Sequence, residues 1–247
     1  MEIKTRQPGK SELKNSLFKE AFTLNETQCF IISDKQEGIK TAIASIKRSR
    51  QHLETYIEGH PNFSYTLKPY PPPKEPLVAK IMAEAAEKAG VGPMAAVAGA
   101  IADLAVNDMI AAGCRVAVVE DGGEISAVSN CTIDVAVGVG DEPLSRKFGF
   151  RLFEFPIGVA TSSGRFSHAL SFGDAEAAII FSKNAAMADA AATAVGNVVK
   201  GEVDVGIDVG IERALSIEGV EGVFILYKGK VGIAGKVPKI IKVERSP

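Results

Sequence analysis

Tryptophan is absent from this 247-residue chain, and aromatic residues make up only 6% of it. There is no excess charge of one sign: 28 Lys and Arg against 30 Asp and Glu leave a formal net charge of -2. That excludes a general nucleic-acid coat, because phosphate binding needs a basic face. Cysteine is scarce. Cys29, Cys114 and Cys131 are odd in number and far apart, which excludes a disulfide framework and points to a reducing cytoplasm. No CxxC spacing occurs and the three histidines do not pair, so structural zinc is not expected. GxxxxGK[ST] and G-x-S-x-G are missing, and Gly138-Val-Gly140 runs into Asp141-Glu142-Pro143 without the third glycine of a dinucleotide fingerprint. The polar start, Met1 to Pro8, has no apolar core of a targeting segment. The longest apolar run, Val91 to Gly113, carries Asp103, Asn107 and Asp108. Each carboxylate would cost about 2.5–3.5 kcal/mol at a bilayer centre, so the run reads as a buried helix and no membrane partner is expected.

What is present is ordinary for a globular chain: 46% hydrophobic residues, 23% charged, 24 glycines and long alanine-rich stretches. Small side chains let backbones approach each other or a ligand closely. At about 100–200 residues per domain, the length allows one large domain or two small ones.

The pattern along the chain divides it. Residues 1–68 read as an N-terminal strand–helix unit packed on the core, with a strand over Gln28–Ser33 and a helix over Gly38–Glu58. Its Lys47, Arg48 and Arg50 form a solvated face. Residues 69–76, Pro69-Tyr-Pro-Pro-Pro-Lys-Glu-Pro76, form a stiff connector. Residues 77–247 form the core unit. Helices are expected over Leu77–Ala89 and Pro93–Ala112. Strands follow over Arg115–Glu120, Glu124–Ser129, Thr132–Val139, Gly158–Ser162, Ser167–Ser171 and Ala177–Phe181, with a tight turn at Asp121-Gly122-Gly123. Asn184 is placed to cap a helix over Asn184–Val199. A helix over Asp208–Ile217 and a hairpin turning at Lys228-Gly229 complete the pattern. The order gives an α+β fold, a mixed or antiparallel sheet packed by Ala-rich helices. Ala98-Gly-Ala-Ile-Ala-Asp103 is faintly echoed by Ala185-Ala-Met-Ala-Asp189.

Three segments carry the functional signal. In Glu120-Asp121-Gly122-Gly123-Glu124 the glycine amide groups can face a ligand, while the carboxylates oppose a phosphate unless a cation intervenes. Thr161-Ser162-Ser163-Gly164-Arg165-Phe166-Ser167-His168 gathers hydroxyls, a guanidinium fork for phosphate or carboxylate and a residue that exchanges protons near neutral pH. Each of these two is equally readable as an ordinary turn or surface loop. In the third segment, Asp189 and Thr193 stand i,i+4 on one helix face among alanines. A carboxylate and a hydroxyl are hard oxygens suited to Mg²⁺, although a structural Asp and a back-bonded Thr would look the same.

Together these segments resemble the ApbE-like superfamily, best known for FAD:protein FMN transferases. The resemblance runs through Met94–Asp103, Val119–Ile125 and Met187–Ala194, with Gly158–Gly164 and Ser167-His168 similar to the family's flavin-side segment. Val91-Gly-Pro-Met-Ala-Ala-Val-Ala-Gly99 looks more like a mainly archaeal and bacterial branch than like the transferases. The resemblance implies an ApbE-like fold with an N-terminal strand–helix addition. It implies a small-molecule ligand bearing phosphate, FAD or another flavin nucleotide among the candidates. It also implies Mg²⁺ held by Asp189, Thr193 and a backbone carbonyl near Ala95. Gly122, Gly123, Thr161, Ser162, Ser163, Gly164 and Arg165 would position the ligand, and His168 would carry a proton. Two features depart from the transferases: Ala98 stands where they carry Lys, and the Asp-Pro-x-Thr-Gly that follows their histidine is replaced by Ala169-Leu-Ser-Phe-Gly173-Asp174. The branch also implies a non-flavin alternative, sulfur assimilation into homocysteine, and the departures allow a third, an inactive binding or structural protein. A homo-oligomer is compatible with the sequence.

Overall fold

The computed structural model describes residues 2–5 (main chain only), 17–25, 27–138, 148–163 and 173–243. In chain order the elements are β1 (Glu2–Thr5), β2 (Phe18–Leu24), β3 (Thr27–Ser33), α1 (Gln36–Gly59), α2 (Asn62–Tyr65), α3 (Leu77–Ala89), a 3-10 turn (Pro93–Ala96), α4 (Val97–Ala111), β4 (Val116–Asp121), β5 (Glu124–Ser129), β6 (Ile133–Ala136), β7 (Phe148–Leu152), β8 (Ile157–Ser162), β9 (Ala177–Ser182), α5 (Ala185–Gly196), α6 (Val203–Leu215), β10 (Val220–Tyr227), β11 (Lys230–Gly235) and β12 (Lys239–Lys242).

Among the described residues two antiparallel sheets form. Eight strands run in the order β11-β10-β9-β8-β5-β4-β3-β2, and four in the order β1-β6-β7-β12. The sheet anticipated as mixed or antiparallel is antiparallel in every described pairing. The N-terminal unit joins the core through β3–β4 pairing and through α1 packed on α4.

Strand alternation assigns the large sheet two faces. Val118, Ile125, Val159, Ile179 and Phe181 face the small sheet, where Phe150 meets Phe181 and Phe224 edge-on. Ile31, Val119, Ala160, Ala178 and Ile180 face the helices. The long apolar stretch becomes the 3-10 turn and α4, with Ala100, Ile101, Ala102, Ala105, Val106 and Met109 buried beneath α1, α3 and α5.

Some elements differ from the sequence reading. The helix expected from Asp208 begins at Val203, where the Glu202 side chain accepts from Val205 N–H and caps it. Its Val- and Gly-rich opening has poor helix propensity, and burial of Ile207, Gly210 and Ala214 against the sheet overrides that. The Pro93–Ala112 helix opens as a 3-10 turn, and the Thr132–Val139 strand shortens to Ile133–Ala136. Strands β1, β2, β7 and β12 were not anticipated. The Ser167–Ser171 strand falls outside the described residues.

Candidate functional site

The Asp121-Gly122-Gly123-Glu124 hairpin closes as expected, with φ of 66° at Gly122 and 120° at Gly123. These are conformations that glycine adopts at little cost. Both of its glycine amide groups have partners within the protein. Gly122 N–H donates to the Gln28 carbonyl at 3.3 Å, and Gly123 N–H serves the Glu120 carboxylate. What the turn presents is charge. Asp121 and Glu124 stand directly opposite each other across β4 and β5, a like-charge pairing that is destabilising without compensation.

The α5 helix faces this hairpin. Every residue from Ala185 to Gly196 is buried except two: Asp189 and Thr193 alone keep partial solvent access. The helix sits low because two glycines let it. A Cβ on Gly99 would lie 2.3 Å from the Ala185 carbonyl oxygen, and one on Gly158 would lie 2.1 Å from the Asn184 carbonyl carbon. Asn184 caps the helix as expected, its side chain accepting from Met187 N–H at 2.9 Å. Thr193 lies one turn beyond Asp189, and the 3-10 turn that carries Ala95 packs against the same helix.

Asp189 is deeply set, and Gly99 N–H donates to its Oδ2 at 3.0 Å. Burial pushes its carboxyl up to about 8; bonds from the Gly99 and Ala98 N–H groups oppose the shift, and the carboxylates of Asp121 and Asp103 add to it. Glu124 is pushed well above the usual range by burial and then by Asp189, Asp121 and Glu120. Asp121 is raised to about 6 by burial, against the pull of Cys29 and Arg50. Asp103 has no site role in the sequence reading, only a place in the long apolar run and at the end of the Met94–Asp103 segment and the Ala98–Asp103 echo. It is buried, and it accepts from Ser126 Oγ at 2.7 Å and from the Ala185 and Ala186 N–H groups at 2.9 Å each. Those bonds offset part of the burial that raises its pKa.

The strand alternation splits the β8 segment. Ser162, paired with Ala178, faces the helices and shares the Asp189 side. Thr161, paired with Ile179, faces the small sheet. The two therefore do not converge on one spot. Thr161 Oγ1 is buried and has no hydrogen-bond partner among the described residues, and Ser163 is buried at the strand end. Gly164, Arg165 and His168 lie outside the described residues.

The cysteines give little support to thiol chemistry. Cys29 is buried, and burial together with Asp121 and Glu120 raises its pKa, so a thiolate is disfavoured. Cys114 is buried with Ser33 Oγ donating to its sulfur at 3.4 Å. Cys131 is half-buried against Ser129.

No group of three or more His, Cys, Asp or Glu among the described residues is arranged to hold a metal. A cation at Asp189 would therefore be completed by a hydroxyl, a main-chain carbonyl, water and ligand oxygens. Mg²⁺ is bound in that manner, with few protein carboxylates. The donor set fits in kind: Asp189 offers hard carboxylate oxygens that also accept from the Gly99 and Ala98 N–H groups, and the surrounding carboxylates favour positive charge. The first amide groups of α5 are already occupied by Asp103 and Asn184, so a phosphate has no free helix terminus there.

The family model described as AbpE bacteria matches residues 15–218. A UPF0280 protein of Methanococcus vannielii is 37% identical over 234 residues, 93% of this chain and 95% of its own length. One from Methanosarcina acetivorans is 38% identical over 246 residues, 97% of this chain and 95% of its own. In structure, the apo flavinyl transferase ApbE of Pseudomonas stutzeri superposes with a TM-score of 0.58 at 13% identity, covering 91% of this chain and 95% of that one. The ApbE protein of Thermotoga maritima gives 0.55 at 13% identity, covering 93% and 97%. At these identities the structures establish the shared fold.

Proposed function

The chain belongs to the AbpE bacteria family, an ApbE-like family, and from that membership we propose that it binds a phosphate-bearing small molecule with Mg²⁺ at the opening formed by Asp189 and Thr193. A flavin nucleotide such as FAD is the first candidate, because a structural neighbour is named a flavinyl transferase. The observation that carries the proposal is the pattern on α5: in a helix whose other residues are buried, the two that keep partial exposure are an aspartate and a threonine four residues apart.

Asp189 would offer its carboxylate, held by the Gly99 and Ala98 N–H groups, and Thr193 its hydroxyl; the Ala95 turn would add a main-chain carbonyl. Bound Mg²⁺ would supply the positive charge that lets ligand phosphates sit among carboxylates and would act there as a Lewis acid. Ser162 is on the correct face to meet the ligand. The orphaned Thr161 hydroxyl supports a polar contact on the other face of the same strand end. We assign Arg165 to the phosphate and His168 to proton transfer from their chemistry alone. Efficient transfer of FMN to protein is not part of the proposal, because Ala98 and the Ala169–Asp174 sequence replace the transferase residues. The three free cysteines support a cytoplasmic location.

Calorimetry of the full chain with FAD, with Mg²⁺ and then with chelator, tests this reading. FAD should bind in Mg²⁺ and lose at least about tenfold in affinity both in chelator and in Thr193→Val. Equal affinity in all three conditions would remove Mg²⁺ from the site, and no binding in any would remove the nucleotide.

A further inference from the structure

Asp103 and Asp189 stand in reciprocal relation. Asp189, on α5, accepts from the N–H of Gly99, the third residue of α4. Asp103, on α4, accepts from the N–H groups of Ala185 and Ala186, the first two residues of α5. At a helix start these amide groups have no partner within their own helix. Each helix thus satisfies the open end of the other with a carboxylate carried four residues along its own chain, in Gly99-Ala-Ile-Ala-Asp103 and Ala185-Ala-Met-Ala-Asp189. Between the two bonds, Gly99 lies so close against the Ala185 main chain that a Cβ there would overlap main-chain atoms. Ser126 Oγ, on β5, donates to Asp103 and ties the pair to the sheet that carries the Glu124 hairpin.

We propose that Asp103 is a positioning residue: its clasp on the start of α5 sets the distance of that helix from α4, and so fixes where the Asp189 carboxylate stands. The proposal rests on the reading of Asp189 as a Mg²⁺ ligand, and it extends the site to a carboxylate that never touches the metal or the ligand. The side chain cannot approach either, since both of its oxygens are taken and it is buried beneath the helix. A cap that served α5 alone would leave Gly99 indifferent to its loss. A clasp would pass the loss on.

The test compares Asp103→Asn, Asp103→Glu and Ser126→Ala in the full chain by amide hydrogen exchange and by titration with Mg²⁺ alone. Asp103→Asn should speed exchange at Ala185 and Ala186 by at least about tenfold, speed it comparably at Gly99, and weaken Mg²⁺ by about 10–100-fold, the range for partners that orient a metal ligand. Asp103→Glu keeps the charge but not the reach, and should behave in the same way. Wild-type Mg²⁺ affinity in Asp103→Glu would show that charge alone matters and would overturn the proposal. So would faster exchange confined to Ala185 and Ala186. If neither Asp103 variant folds, Ser126→Ala decides: the same three amide groups should exchange about two- to fivefold faster, and an unchanged Gly99 overturns the clasp. If the wild type takes up no Mg²⁺, the metal reading fails, while Gly99 exchange still judges the clasp.

Discussion

Gly99–Asp103 on α4 and Ala185–Asp189 on α5 are the same kind of segment, a short run of small and apolar residues ending in aspartate, and they meet at their starts. They part in what surrounds the aspartate. Asp103 is closed in by Ser126 and two helix amide groups, and its hydrogen-bonding capacity is spent inside the protein. Asp189 accepts from the Gly99 and Ala98 N–H groups, sits among like charges, and belongs to a residue that keeps partial solvent access. The same device therefore sits in two settings, a closed one at Asp103 and a partly open, carboxylate-rich one at Asp189. The outcome is set by what the neighbouring strand supplies: a serine hydroxyl opposite Asp103, and the Asp121–Glu124 hairpin opposite Asp189.

That comparison predicts unequal costs. Truncating Asp103 to alanine orphans two buried N–H groups, at about 1–3 kcal/mol each. Asp189→Ala likewise leaves the Gly99 N–H without its carboxylate, but it also removes a group crowded by Asp121 and Asp103, so it should cost less than Asp103→Ala in chelator. Urea unfolding of both variants without metal checks the order, and equal losses would erase the distinction. Next in size is Gly99→Ala. The new methyl meets main-chain atoms of α5 that cannot swing aside, so a loss of about 1–3 kcal/mol is expected by the same measurement.

A smaller effect sharpens the electrostatic half of the comparison. The folded pKa of Asp189, about 8, lies above its ordinary 3.8, so the folded chain holds this proton more tightly than the unfolded one. Its contribution to metal-free stability is complete below about pH 4, declines as pH rises and is lost by about pH 8. Asp189→Asn cannot ionise, so its metal-free melting temperature should fall less than the wild type's between pH 5 and 8.5. Parallel profiles for the two proteins would contradict the raised pKa. The smallest expected signal is in a flavinylation assay with FAD, Mg²⁺ and a threonine-containing acceptor peptide. Ala98 and the replaced segment predict almost none, and robust labelling would show that neither departure matters.

Periodicity and turn chemistry revealed most of the elements around the site, including the Gly122-Gly123 hairpin, β8 and the Asn184-capped helix. The i,i+4 placement of Asp189 and Thr193 was legible because helical spacing is local. The strands missed are short or interrupted. In β7, Gly149 reads as a break, yet its missing side chain is what lets the Val135 carbonyl approach within 2.1 Å of the Cβ position. The role of Asp103 was invisible for a different reason: its amide partners lie 82 and 83 residues away, beyond any local pattern. The echo between the two small-residue runs was the one available signal, and its meaning emerged only when the helices were seen to cap each other. The separation of Thr161 from Ser162 across the sheet could have been read from strand alternation alone.

The central claim is that the Asp189–Thr193 opening holds the cation that carries the ligand phosphate. Crystals grown with FAD and Mn²⁺, a cation visible by anomalous scattering, test it most directly. The account predicts one anomalous peak within coordination distance of both the Asp189 carboxylate and the Thr193 hydroxyl, with a diphosphate oxygen completing it. A peak confined to the Asp121–Glu124 hairpin, or FAD bound away from α5, would contradict it.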